Sequence, residues 1–233
     1  MVTWVSLVAA AVGIVVDVLV GGRLTRLDLR VHTWQLDHVD AVWRGAFDVL
    51  ILLGQWKLVT GVLAFVAAGA AHRRRSLRPL IVPAVVFVST AVLVSVMKHW
   101  VGRSAPGHGD GAALVGGTSF PSGHAVDGIV LWGLVLGCAA QWSPRLDRML
   151  SPGRRHALVA FAGLSAGGAM VGLGYHWCTD VMAGWAIGGA VYVGLLLLDP
   201  LHAQPGRLRI AAQGANVGTD ALDMVSQPHD RPD

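Results

Sequence analysis

The chain has 233 residues, 54% of them apolar and only 14% charged, with 30 glycines and a formal net charge of +4. About a quarter of the residues are charged in an ordinary water-soluble domain, so this composition excludes a soluble globule and points to a bilayer. The positive balance comes from arginine-rich loops without interleaved aromatics, which reads as topology signal and lipid-headgroup contact rather than a nucleic-acid surface.

In chain order, residues 2–20 form a first apolar span, interrupted only by Asp17. It lacks a basic leader and a small-residue cleavage site, so it reads as a retained helix. The loop of residues 21–56 mixes Arg23, Arg26, Arg30 and Arg44 with Asp28, Asp37, Asp40 and Asp48. Within it, residues 37–53 read as one helix with a mixed face lying along the outer membrane surface. Residues 58–71 make a short second span, which residues 50–56 lengthen or precede at the interface. The stretch 72–78 (HRRRSLR) is basic without an acid, and residues 79–97 form an uncharged third span that ends at Lys98.

Residues 101–119 hold Gly102, Gly107, Gly109, Gly111, Gly116 and Gly117, a backbone suited to a flexible lid. Span four covers residues 125–142 with Asp127 as its single acid, and residues 143–156 again carry four arginines. Spans five and six cover residues 157–175 and 181–198, each long enough to cross about 30 Å of hydrocarbon. Glycines repeat at four-residue spacing (Gly163 and Gly167, Gly168 and Gly172, Gly184 and Gly188), which permits close helix approach in lipid. Trp56, Trp100, Trp142 and Trp177 fall at predicted interfaces. The expected architecture is an all-α integral membrane protein, a six-transmembrane helix bundle over residues 1–203, with a polar, disordered cytoplasmic tail over 204–233. Arginine placement puts loops 72–78 and 143–156 in the cytoplasm. The ends of spans three and five and the start of span four then share the outer face, in a cytoplasmic (inner) membrane.

Three stretches at that face carry chemistry: residues 98–106 (KHWVGRSAP), 120–124 (FPSGH) and 176–180 (HWCTD). Cleaving a phosphate ester needs a nucleophile, an acid for the leaving oxygen, and fixed cations or N–H groups around the phosphoryl oxygens. His176 and Asp180, four residues apart, share a helical face, so the carboxylate can fix one imidazole nitrogen and free the other to attack. Pro121 and Ser122 before Gly123 are helix-start residues whose N–H groups can face an anion. His124 projects from the first turn as a proton donor. Lys98 and Arg103 supply a cationic wall for phosphate. Asp127, His99 and His108 lie near enough to touch a substrate.

Together these stretches resemble the type 2 phosphatidic acid phosphatase family, related to vanadium haloperoxidases, whose pattern runs K-x6-R-P, P-S-G-H, S-R-x5-H-x3-D. The resemblance covers most of residues 45–200. It implies that His176 is the nucleophile and forms a phosphohistidine, that Asp180 orients it, and that His124 protonates the leaving group. It also implies phosphate contacts from Lys98, Ser122 and Gly123, with no metal or other cofactor. The first family arginine falls on Ala105 and the later Ser-Arg pair on Ala169 and Met170. Arg103, two positions before Ala105, can take the first role if the glycine-rich loop bends toward the site. The sequence thus points to a membrane lipid-phosphate phosphatase acting on a monoester or diphosphate of the polyprenyl diphosphate or phosphatidate type. The other reading is a non-catalytic membrane protein, binding phospholipid or a partner through a partly degraded pocket. The expected partners are the lipid substrate and membrane lipids, with no nucleic acid.

Overall fold

The computed structural model describes residues 1–107 and 111–198, and the described residues are helical, without strands. His108 and the tail expected from residue 204 lie outside the described residues. Helix α1 spans Val2–Val20, α2 Arg23–His38, α3 Ala41–Leu50, α4 Trp56–Arg74 and α5 Arg78–Val101. They are followed by α6 (Gly123–Trp142), the short α7 (Pro144–Met149), α8 (Pro152–Gly172) and α9 (Cys178–Leu198).

Four of these helices, α1, α5, α6 and α9, are long and apolar enough to cross a membrane. A fifth arises if α3, its trailing 3-10 turn (Ile51–Gly54) and α4 count as one span bent by 45°. Helix α8 is equally long at 21 residues but carries Arg154, Arg155 and His156 near its start. The chain is thus a multi-pass membrane protein. Its surface agrees: Val85, Val88, Val92 and Val96 of α5 are each 56–60% exposed along one stripe, as a lipid-facing helix surface is.

Helix α6 is the central element, packed against α4, α8 and α9. Close packing follows from the glycines. A Cβ on Gly184 would lie 2.7 Å from the Ser122 carbonyl oxygen, and one on Gly188 3.2 Å from Val126 Cα, so α9 presses directly on the start of α6. A Cβ on Gly163 would lie 2.3 Å from Ile129, while Gly168 faces open space.

The single surface helix expected over residues 37–53 is instead divided among the end of α2, α3 and the 3-10 turn that follows it. Asp40 ends the run after α2 by accepting from the N–H groups of Val42 and Trp43, both at 3.0 Å, and so caps α3. A capping aspartate competes with helix continuation because its side chain replaces the missing backbone acceptor. The turn after α1 is built similarly. The Asp17 carboxylate accepts from the N–H groups of Leu24 (3.2 Å) and Thr25 (2.8 Å) and from Thr25 Oγ1 (2.9 Å), tying the start of α2 to α1.

Candidate active site

Helix α5 ends at Gly102, in a left-handed conformation with φ 58°. The chain then folds back on itself. Leu114 N–H reaches the Val101 carbonyl (2.8 Å), Val115 and Gly117 N–H reach that of Gly102 (3.0 and 3.1 Å), and Ser119 N–H reaches that of Arg103 (3.0 Å). These bonds pin the described part of the glycine-rich loop over the ends of the helices.

Beneath that loop sits a buried ionic cluster. Arg103 is 0% exposed. Its Nη1 donates to Asp180 Oδ1 (2.6 Å) and Thr179 Oγ1 (2.6 Å), its Nη2 to Asp28 Oδ2 (2.6 Å), and its Nε to the Gly111 carbonyl (2.9 Å). The guanidinium also lies 5.5 Å from the Trp177 ring centre. Gly111 (φ 81°) closes this chamber; a Cβ there would sit 3.0 Å from the Trp177 ring and 3.3 Å from Arg103 Nη2. Arg103, expected on the phosphate, is in this structure bonded to protein acceptors alone. The loop turns its side chain inward, where two carboxylates compensate the charge that burial would otherwise make costly.

Asp180 is likewise 0% exposed and fully engaged. Its Oδ2 accepts from Ser119 Oγ (2.5 Å), from Trp177 N–H (3.2 Å) and from His176 Nδ1 (3.2 Å). Ser119 Oγ also lies 3.3 Å from His176 Nδ1. Because the Ser119 proton is committed to the carboxylate, Nδ1–H is the donor toward both, and Nε2 is the imidazole nitrogen with a free lone pair.

The other motif residues meet at the same end of the bundle. Ser122 precedes α6, and its N–H donates to the Asp180 carbonyl (3.0 Å), joining the starts of α6 and α9. Its hydroxyl is buried without a hydrogen-bond partner. Gly123 opens α6, and His124 stands half-buried in its first turn. Lys98 Nζ donates to the Thr118 carbonyl (2.6 Å). The side chains of His124, His176, Lys98, Asp180 and Asp127 lie near enough to one another to interact electrostatically, in one neighbourhood. His99 is exposed and bonds back to the Ser95 carbonyl of its own helix (2.7 Å). Met170 lies with Ala125 and Val181 in an apolar cluster, and Ala169 is buried, so neither position offers a donor.

Three contributors to the cluster had no role assigned from the sequence motifs. Asp28, 2% exposed on α2, accepts from Thr179 N–H (2.9 Å) and Thr179 Oγ1 (2.5 Å) as well as from Arg103. Ser119 is the second, through its bonds to Asp180 and His176. Trp177, expected at the interface, is instead 2% exposed, and its Nε1–H donates to the Ser104 carbonyl (2.7 Å).

This is a helical membrane protein with a buried carboxylate bonded to a partly exposed imidazole at one end of its bundle. The model of the PAP2 superfamily matches residues 79–201, more than half of the chain, and the protein belongs to that superfamily. It is thereby a membrane protein of phosphatase type. The fold is also similar to a crystal structure described as the first transmembrane PAP2 type phosphatidylglycerolphosphate phosphatase from Bacillus subtilis. That likeness has a TM-score of 0.71 at 21% identity and covers 88% of this chain and 100% of the other. No curated protein matches the chain.

Proposed function

We propose that the protein is a lipid-phosphate phosphatase of the cytoplasmic membrane, with its pocket facing outward and the basic segments 72–78 and 143–156 facing the cytoplasm. The single observation that carries the reading is His176, whose Nδ1 is tied to Asp180 and Ser119 so that Nε2 is left to attack. The buried, unpartnered Ser122 hydroxyl at the start of α6 supports it, because an acceptor-rich phosphoryl group would satisfy it.

In this reading Lys98, the Ser122 hydroxyl and the N–H groups beginning at Gly123 hold the phosphoryl oxygens. His176 Nε2 forms a bond to phosphorus as the P–O bond to the lipid breaks, and His124 gives its proton to the departing oxygen. A water then attacks the phosphohistidine, returning a proton to His124 and releasing inorganic phosphate. Asp180 orients His176 throughout, and the steps need no metal. The substrates that fit are phosphate monoesters or diphosphates on a hydrophobic tail, of the polyprenyl diphosphate, phosphatidate or phosphatidylglycerolphosphate kind.

A second reading, a phospholipid-binding protein without turnover, is favoured by the commitment of Arg103 to carboxylates and by the apolar setting of Met170. Phosphate release from purified protein, offered a panel of these lipids and compared with His176→Ala, separates the two. Release lost in the variant supports the phosphatase; equal release from both rules out the histidine mechanism, and no release from either supports the second reading.

A further inference from the structure

We propose that Asp28 is a positioning residue of the reaction, acting through Arg103 and Thr179 to hold Asp180 in register with His176. This deepens the histidine-nucleophile reading above and rests on it. Asp28 bridges two other elements. Its Oδ1 accepts from Thr179 N–H (2.9 Å), at the first turn of the helix that bears Asp180, while Oδ2 accepts from Thr179 Oγ1 (2.5 Å) and Arg103 Nη2 (2.6 Å). Arg103 then passes the constraint on through Nη1 to Asp180 Oδ1 (2.6 Å). The other carboxylate oxygen, Oδ2, is the one His176 uses. Every link is buried: Asp28 is 2%, Thr179 1%, and Arg103 and Asp180 0% exposed.

The geometry argues for positioning and against a substrate contact. The carboxylate of Asp28 is satisfied by three donors from the protein and carries the charge sign that repels phosphate. A carboxylate whose oxygens shift by a few tenths of an ångström changes the imidazole's aim; the bond from Arg103 Nη1 to Oδ1 resists that shift alongside the bonds from Ser119 Oγ and Trp177 N–H to Oδ2. Removing the Asp28 carboxylate takes away the acceptor of Arg103 Nη2, leaving the guanidinium held on one side, through Nη1 and Nε, and able to tilt the Asp180 carboxylate with it.

The test compares Asp28→Asn, Arg103→Met, the double variant and His176→Ala in the purified full-length protein, with kcat and KM expressed per folded molecule. Asp28→Asn is expected to lower kcat about 10- to 100-fold, the usual effect of a supporting partner, with KM within about twofold. Arg103→Met leaves two buried carboxylates facing each other and is expected to lose more. Adding Asp28→Asn to it is expected to recover part of kcat, a coupling of opposite sign that independent defects do not produce. If Asp28→Asn does not fold, Thr179→Val carries the same kcat-against-KM comparison. Wild-type kcat in Asp28→Asn, a change confined to KM, or simple additivity in the double variant overturns the proposal while leaving the phosphatase reading intact. Activity retained in His176→Ala overturns the reading beneath it.

Discussion

His176 Nδ1 lies 3.2 Å from Asp180 Oδ2, and the two residues sit four apart where α9 begins. That pairing directs the free Nε2 away from the carboxylate and gives the imidazole a fixed tautomer. It also makes the pair fail as a unit. His176→Ala is expected to lower phosphate release by roughly 10⁴-fold or more, the scale on which losing a nucleophile acts. An acid-labile, alkali-stable phosphoryl label on the wild-type protein, absent from the variant, provides the direct check.

Ser119→Ala removes the hydroxyl that donates to Asp180 Oδ2 and lies 3.3 Å from His176 Nδ1. A hydrogen bond to a charged group is worth about 1.5–3 kcal/mol, so a fall in kcat of about 10- to 100-fold is expected. Steady-state kinetics on the variant, with KM little changed, verify it.

Lys98→Met takes away the cation closing α5, whose Nζ now rests on the Thr118 carbonyl. Loss of a fixed donor to a developing anion lowers kcat by about 10²–10³. Competition by inorganic phosphate should weaken in parallel, which an inhibition titration reads independently of turnover.

Gly54→Ala tests the packing that seats His124. The added Cβ would lie 2.5 Å from the His124 carbonyl oxygen and 2.8 Å from Ala166 Cβ, with backbone on one side and no flexible tip to yield. Overpacking of this kind costs about 1–3 kcal/mol. A lower melting temperature in detergent, together with reduced activity, is the expected result. Gly61→Ala, at a helical position with open space around it, should leave the melting temperature unchanged or higher.

Asp17→Ala removes the acceptor for the Leu24 and Thr25 N–H groups and the Thr25 hydroxyl. Cap losses cost about 0.5–2 kcal/mol. Because α2 also carries Asp28, activity should fall more steeply with temperature in this variant than in the wild type, as seen by assaying both across the melting range.

The long apolar runs and the helix-start chemistry before α6 were readable because they depend on neighbours within a turn or two. Pro121, Ser122 and Gly123 mark a helix beginning by local backbone preference alone, and Gly184 and Gly188 announce a tight crossing by their spacing. The inward turn of Arg103 was not readable. Its partners lie 75 and 77 residues away, at Asp28 and Asp180, and a loop pinned by non-local backbone bonds decides which way it points. Asp28 was hidden for the same reason, being one of several aspartates in a loop whose others stay at the surface. Trp177 looked like an interface residue because its neighbours in sequence do not reveal that Ser104 and Arg103 enclose it.

The stretch that matches the superfamily begins at residue 79, yet Asp28, which bonds Arg103 and Thr179, and Gly54, which packs against the His124 backbone, come earlier. A hybrid protein that grafts residues 79–201 onto another relative's front half would therefore inherit the recognisable signature while leaving Arg103 with an unmatched anchor. Which front halves can be exchanged will be decided by whether they bring an acidic group to Thr179.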